Sequence, residues 1–262
     1  MNRQRRTAAF VMLVLAGLAS SVLDTGAQAQ APAGKPGAQP ATPLDTALAY
    51  MYEARRNYTA VKDYTCTLIS RESIKGELKE ESVAMMKFRP QPFSVYMRWL
   101  SPTSQRGQEV AYVHGKNGNK MRVQSKGILK IAGFVSIDVN DPRVMEHSRH
   151  TILEAGIGHL IESTIRNWET ERKFGKTDSK IAEYTYDNRR CYRIENTRQE
   201  RRPEFYAYRS VIYLDKESKL PMRSESYDWP RPGGTPTGDL LETYSFVDLR
   251  FNVGLTDKDF TK

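Results

Sequence analysis

The chain has 262 residues and a formal net charge of +9 at pH 7, from 40 lysines and arginines against 31 aspartates and glutamates. This length suits one domain with a substantial core and does not call for a second. The basic excess is moderate and spread along the sequence, which disfavours nucleic-acid binding. It fits either weak attraction to an anionic envelope surface or an ordinary solvated surface.

The first 29 residues have the three-part order of a signal peptide. Three arginines lie in the first six positions, an apolar run occupies residues 8–19, and a small-residue stretch ends at Ala29. The apolar run is shorter than the roughly 20 residues of a membrane-spanning helix. We therefore expect a periplasmic protein cleaved after about Ala29, with no transmembrane segment in the mature chain. Arg5-Arg6 leaves the twin-arginine route open beside the general one.

Residues 30–42 are rich in alanine, proline and glycine and predict a flexible linker before a single domain over residues 43–262. Pro43 suits the first turn of a helix. The apolar residues that follow recur at helical spacing and predict one buried stripe. Its members are Leu44, Ala47, Leu48, Met51, Ala54 and Tyr58.

From Asp63 onward the period changes to two, which predicts about ten strands joined mostly by hairpins. A second helix is expected from about Gly158 to Lys173. Hairpin-connected strands with few helices predict an α+β domain. We expect a long curved antiparallel sheet, an unclosed β-barrel, with the helices packed in its concave face. The predicted strands are 64–71, 80–88, 93–100, 108–114, 120–125, 181–186, 190–196, 205–214, 221–229 and 240–251.

Cys66 and Cys191 are the only cysteines. In an exported protein the default expectation is a disulfide between them. Two buried free thiols are the alternative, because sequence spacing cannot show that two side chains meet.

No pattern in the sequence predicts catalysis: no Gly-x-Ser-x-Gly elbow, glycine-rich phosphate loop or Cys-x-x-Cys pair occurs. We therefore expect neither an enzyme nor a cofactor. His147, His150 and His159 lie near two glutamates, but their spacing does not match a metal site on one helix face. We predict that all three tolerate alanine, and a hydrolase using this region is the weakest hypothesis.

The segment from Gly127 to Val139 is the longest apolar stretch after the signal peptide. It could be a buried strand or part of the core. It could instead be a mobile cover over a cavity, since Gly127 and Gly133 can hinge, or a membrane-contacting patch flanked by Lys126 and Lys130.

Several segments resemble an exported bacterial family of uncharacterised function in the LolA/LolB-like superfamily of lipoprotein carriers and localisation factors. The resemblance covers nearly the whole mature chain. It implies an unclosed antiparallel barrel with helices plugging an apolar cavity, and no cofactor. The segments that carry it are Asp63-Tyr64-Thr65-Cys66-Thr67, residues 87–96 (KFRPQPFSVY), Gly115-Lys116-Asn117-Gly118-Asn119 and Phe251-Asn252-Val253-Gly254-Leu255.

With this resemblance, the leading hypothesis is a non-enzymatic envelope protein that binds or carries an apolar ligand, either an acyl compound or a lipid-modified protein. The alternative is an envelope scaffold whose cavity is filled by its own side chains. The strand that begins at Phe93 and the apolar segment supply the candidates for the cavity wall. They are Phe93, Val95, Met97, Trp99, Ile128, Leu129, Ile131 and Phe134.

Overall fold

The computed structural model describes residues 41–125 and 133–261, and every structural statement below concerns these residues. The described residues form three α-helices: α1 (Pro43–Tyr58), the short α2 (Pro142–Met145) and α3 (Ile157–Phe174). The strands are β1 (Tyr64–Ile74), β2 (Glu77–Leu78), β3 (Ser82–Arg89), β4 (Ser94–Ser101), β5 (Glu109–Val113), β6 (Lys120–Gln124), β7 (Val135–Asp138), β8 (Thr177–Tyr186), β9 (Arg189–Arg198), β10 (Arg209–Asp215), β11 (Pro221–Tyr227) and β12 (Leu240–Phe251).

All the strands belong to one sheet in the order β7-β6-β5-β4-β3-β1-β12-β11-β10-β9-β8, with β2 paired only to β1. Every pairing is antiparallel. Strands β7 and β8 are the two edges of this path, so the sheet does not close. Side chains from β6 and β7 line the same cavity as side chains from β10 and β11, so the sheet curves around it. The predicted α+β fold with an unclosed antiparallel sheet is confirmed.

Helix α1 packs its predicted stripe into the core. Leu44, Ala47, Leu48, Met51 and Ala54 are all buried. Its start is fixed by a capping box, in which Thr42 accepts from the Asp45 backbone N–H and the Asp45 carboxylate accepts from Thr42. Pro43 occupies the first turn, where its missing N–H is not needed. The helix therefore begins where its sequence predicts.

Helix α3 approaches its neighbours closely through two glycines. A β-carbon on Gly156, whose φ is +96°, would lie 2.6 Å from the Phe88 ring. A β-carbon on Gly158 would lie 2.6 Å from the Tyr58 ring. The backbone N–H of Ile157 donates to the Tyr64 hydroxyl at 3.1 Å, so the first turn of α3 is attached to β1. Only glycine permits this approach at Gly156.

The other end of α3 is joined to β9 by a buried ion pair between Glu171 and Arg198. Both side chains are almost fully buried, at 2% and 3% exposure. Ser210 accepts a second hydrogen bond from Arg198 at 3.1 Å. Burial raises the pKa of Glu171, and the nearby Arg198 opposes that rise. This pair orients α3 across the concave face.

The family-like segments hold the two ends of the domain together. The Asp63 carboxylate accepts hydrogen bonds from the backbone N–H groups of Val253, Gly254 and Leu255 at 2.7–3.2 Å. Arg89 donates to Asp257 at 2.7 Å, in the turn that follows. These motif residues therefore have a structural role in attaching the C-terminal segment.

The expected disulfide is not formed: Cys66 and Cys191 are both free and buried. Cys66 packs in the main core, whereas Cys191 packs with Val211 and Tyr213 in a separate cluster. On β10, Val211 alternates with Ile212, which belongs to the main core, so the two cysteines lie on opposite faces of the sheet. Three strands also separate β1 from β9. Burial raises the pKa of the Cys66 thiol to about 12.

The apolar segment is described only from Gly133 onward. Its end forms β7, a four-residue edge strand that pairs with β6. Val135, the first residue of β7, is 48% exposed. The cover and membrane-patch hypotheses concern mainly residues 126–132, which lie outside the described residues. So do the predicted signal peptide and residues 30–40 of the predicted linker.

Candidate ligand-binding cavity

A cavity of about 670 Å³ lies between the concave face of the sheet and α3. Its third wall is the segment between β7 and α3, residues 143–156, which we call the cover segment. Pockets of ~300–1,000 Å³ typically enclose one small organic ligand. The cavity is therefore large enough for a ligand and is not filled by the side chains described.

One part of the cavity wall is apolar. Strands β3 to β7 contribute aliphatic and aromatic side chains, and helix α3 adds Leu160 opposite them. Burial of apolar surface against such a wall is favourable by about 25 cal/mol per Å². The strand residues are Ala84, Met97, Trp99, Val110, Met121, Val123 and Ile137.

The strand register arranges the inward-facing side chains into three rows that run across the strands and increase in polarity. Alternate residues of a strand share one face, so neighbouring rows are about 7 Å apart along the strands. The apolar row is Trp99, Ala84, Leu68 and Phe246. The hydroxyl row is Ser82, Ser70, Tyr244 and Ser224. The charged row is Glu72, Glu242, Ser226 and Ser210. All twelve side chains line the cavity.

Glu242 is the centre of the charged row and is 7% exposed. Its carboxylate accepts from His150 Nε2 at 2.8 Å and from Arg149 Nε at 3.2 Å. It also accepts from the hydroxyls of Tyr206 at 2.9 Å and Ser226 at 3.3 Å. Burial alone would raise the pKa of Glu242, but the hydrogen bond and positive charge of His150 hold it below its ordinary value. The carboxylate is therefore ionised and fully hydrogen-bonded.

Glu72 stands beside Glu242 on β1 and binds the same cover segment. It accepts from the Arg149 backbone N–H at 2.7 Å, from Ser148 Oγ at 3.3 Å and from the Tyr244 hydroxyl at 2.5 Å. Burial raises the pKa of Tyr244 well above its ordinary value, so this phenol stays protonated and donates. Hydrogen bonds to Glu72 and Glu242 thus attach the cover segment to β1 and β12.

The three histidines have different environments. Burial alone would lower the pKa of His150, but its contacts with Glu242 and then Glu154 outweigh this and raise the pKa to about 9. Burial lowers the pKa of His159, so that ring is neutral at pH 7. His147 is exposed at the cavity rim. Within residues 41–125 and 133–261, no group of three histidine, cysteine or acidic side chains is placed to hold a metal ion.

The structure divides the predicted cavity residues into three groups. Met97 and Trp99 line the cavity. Phe93 and Val95 pack in the core on the same face, where Phe93 contacts the rings of Phe88 and Tyr112 at centroid distances of 5.3 and 5.8 Å. Phe134 is half-buried beside β7, outside the described cavity wall. Ile128, Leu129 and Ile131 lie outside the described residues.

Sequence reasoning missed the charged row. Glu72 lies two residues from Ser70 and four from Leu68 on β1, and Glu242 lies two residues from Tyr244 and four from Phe246 on β12. Strand alternation could therefore have placed both carboxylates on the buried face. The pairing of Glu72 with Glu242 could not be predicted, because β1 and β12 come from opposite ends of the domain.

None of the described helices is both long and apolar enough to cross a membrane. The fold and cavity define a class: an open antiparallel sheet that curves around a cavity covered by a helix. The chain belongs to the family described as "Protein of unknown function (DUF1571)", whose sequence profile matches residues 61–262. No curated protein matches the chain.

Solved structures show similarity at low identity. An uncharacterised conserved protein from Thermus thermophilus is 12% identical over 83% of this chain and 93% of that chain, with a TM-score of 0.47. The lipoprotein LppX from Mycobacterium tuberculosis is 11% identical over 80% and 97%, with a TM-score of 0.47. A LolA superfamily protein from Nitrosomonas europaea is 12% identical over 82% and 96%, with a TM-score of 0.36.

Proposed function

We propose that this protein is a non-enzymatic cell-envelope protein that binds or carries an apolar ligand in the cavity beneath α3. The observation that carries the proposal is the cavity of about 670 Å³ with Met97, Trp99 and Leu160 on its apolar wall. The alternative, a scaffold with a self-filled core, requires side chains other than the described ones to occupy this space. The carboxylates of Glu72 and Glu242 bind the cover segment and neighbouring hydroxyls, which suits a structural role for them.

A volume-filling substitution tests the proposal. Ser163 is half-buried on the cavity side of α3. Among the described residues, its hydroxyl donates only to the Leu160 carbonyl of the same helix. We expect Ser163→Trp to weaken binding of the neutral apolar probe N-phenyl-1-naphthylamine at least about tenfold, the equivalent of 1.4 kcal/mol. Ser104→Trp, in the exposed loop between β4 and β5, is the matched control and should bind like the parent.

Saturable binding by the parent and the control, with loss in Ser163→Trp, supports the cavity as the binding site. Absence of saturable binding to the parent would contradict the proposal. Equal affinity in Ser163→Trp and the parent would place the probe elsewhere and contradict it as well.

We propose that the protein acts in the periplasm after export, on the basis of the signal-like sequence of its first 29 residues. N-terminal sequencing of protein recovered from the periplasmic fraction should begin at Gln30. Recovery of the intact N-terminus in the cytoplasmic fraction would contradict this localisation. We infer that the apolar ligand is either an acyl compound or a lipid-modified protein.

A further inference from the structure

The polar chemistry that the cavity offers to a ligand is mostly uncharged. Glu242 already accepts four hydrogen bonds and Glu72 accepts three, all from described protein groups. The deeper Arg198 is paired with Glu171. The carboxylates of the charged row therefore already have hydrogen-bond donors from the protein.

The hydroxyl row is different, because part of it has no partner. Ser70 on β1 and Ser224 on β11 flank Tyr244, and neither serine hydroxyl makes a hydrogen bond with any described residue. Ser224 is only 7% exposed. Neither hydroxyl oxygen is sealed from the cavity, so each is available to a polar group of a ligand.

Helix α3 presents matching groups across the cavity. Thr164, also 7% exposed, and Asn167 both line it, and neither side chain makes a hydrogen bond within the described part of the chain. Two hydroxyls on the sheet thus share the cavity with a hydroxyl and an amide on the helix. All four line the same cavity, and together they supply hydrogen-bond donors and acceptors to it.

We propose that the ligand is an amphipathic molecule whose uncharged hydrogen-bonding group, an ester, amide or hydroxyl, is held by Ser70, Ser224, Thr164 and Asn167. The proposal rests on the proposed function and deepens it by naming the ligand class. The apolar part of the ligand lies against the apolar row, about 7 Å from the hydroxyl row along the strands.

A charged head group fits this position less well. A carboxylate at the hydroxyl row would lie one row from the ionised Glu242 and its neighbour Glu72. An ammonium group there would find those carboxylates already bonded to Arg149, His150 and other donors. Among the described arginines and lysines that line the cavity, Arg71 and Arg166 have no carboxylate partner, and both are exposed.

Ligands of one chain length separate these alternatives. Dodecane, dodecanol, methyl laurate, laurate and dodecylammonium would each be titrated against bound N-phenyl-1-naphthylamine. We expect dodecanol and methyl laurate to displace the probe at concentrations at least about tenfold lower than dodecane, the value of one or two hydrogen bonds. Laurate and dodecylammonium should be weaker than dodecanol.

The double variant Ser70→Ala/Ser224→Ala assigns the preference to the hydroxyl row. Affinity for dodecanol and methyl laurate should fall about tenfold while affinity for dodecane stays unchanged. The melting temperature should not fall, because neither hydroxyl has a partner among the described residues of the folded protein. Ser104→Ala, in the exposed loop, is the matched control.

Tighter binding of laurate or dodecylammonium than of dodecanol would overturn the inference and leave the proposed function standing. Equal loss of dodecane and dodecanol affinity in the double variant would also overturn it. If neither the probe nor any ligand binds the parent, the proposed function itself is contradicted.

Discussion

His150 Nε2 lies 2.8 Å from Glu242 Oε2, and this contact joins the cover segment to β12. Around it, Arg149 and Ser148 bind Glu72 on the neighbouring strand β1. The segment that closes one side of the cavity is therefore held by charge-assisted hydrogen bonds, which are stronger than neutral ones. Its stability should depend on the protonation of both partners.

The pH dependence of this contact follows from the raised pKa of His150. Because that pKa rises from 6.5 to about 9 on folding, the stabilisation is complete below pH 6.5 and is lost as pH rises through about 9. The lowered pKa of Glu242 adds the opposite limit, since its contribution is lost as pH falls below 4.5. The contact is thus most effective between pH 4.5 and 6.5.

We expect His150→Gln to lower the free energy of unfolding by up to about 3 kcal/mol at pH 6 and by much less at pH 10. Urea unfolding at both pH values measures this difference. His147→Gln is the matched control, because His147 is exposed and makes no side-chain hydrogen bond with a described residue. The sequence-based expectation that alanine is tolerated is retained for His147. An equal loss of stability at pH 6 and pH 10 in His150→Gln would contradict the assigned contact.

Two of the ion pairs that α3 makes should differ widely in their contribution to the free energy of unfolding. Removing Glu171 by Glu171→Ala leaves Arg198 buried without a counter-charge, which typically costs about 3–5 kcal/mol. Glu162→Ala breaks the exposed pair with Arg55, whose side chains are 44% and 50% exposed, and should cost at most about 1 kcal/mol. Chemical denaturation compares the two variants. Similar losses would show that the buried pair does not orient α3.

Gly156 should tolerate no side chain. Gly156→Ala combines a left-handed backbone with a β-carbon 2.6 Å from Phe88. Gly175→Ala places alanine at φ +65° in open space at the end of α3. Backbone strain alone costs about 1–2 kcal/mol, so Gly175→Ala should show that loss and Gly156→Ala a clearly larger one. Equal melting temperatures of the two variants would mean that α3 does not approach β3 this closely.

The free thiols can be counted directly. After denaturation without reductant, an alkylating reagent should label both Cys66 and Cys191, because they lie on opposite faces of the sheet. In the native protein both should react slowly, since burial raises their pKa values and lowers the thiolate fraction. Mass spectrometry reads the number of labels. An unlabelled denatured chain would demonstrate the disulfide and contradict the arrangement of the strands.

Local sequence patterns predicted the helices and strands whose apolar residues repeat at one regular spacing. The stripe from Leu44 to Ala54 follows helical spacing, and strand alternation placed Val95, Met97 and Trp99 on one inward face. The strands β2 and β7 were not predicted as separate strands, because they are only two and four residues long and lie at the sheet margin. Period alone is weak over such lengths.

The cavity was harder to predict than the sheet. Its polarity depends on β1 pairing with β12, which brings Ser70 beside Tyr244 and Glu72 beside Glu242. That register joins the two ends of the domain, as the Tyr244–Glu72 hydrogen bond shows with its separation of 172 residues. The disulfide prediction failed for a related reason, since sequence spacing does not reveal which face of a sheet a cysteine occupies.

Native mass spectrometry of the protein purified gently from the envelope tests ligand binding most directly. We expect a species heavier than the polypeptide by one small amphipathic molecule, which is released on denaturation and is absent from Ser163→Trp. If the parent, like Ser163→Trp, shows only the mass of the polypeptide, the central claim that the cavity beneath α3 holds a ligand is contradicted.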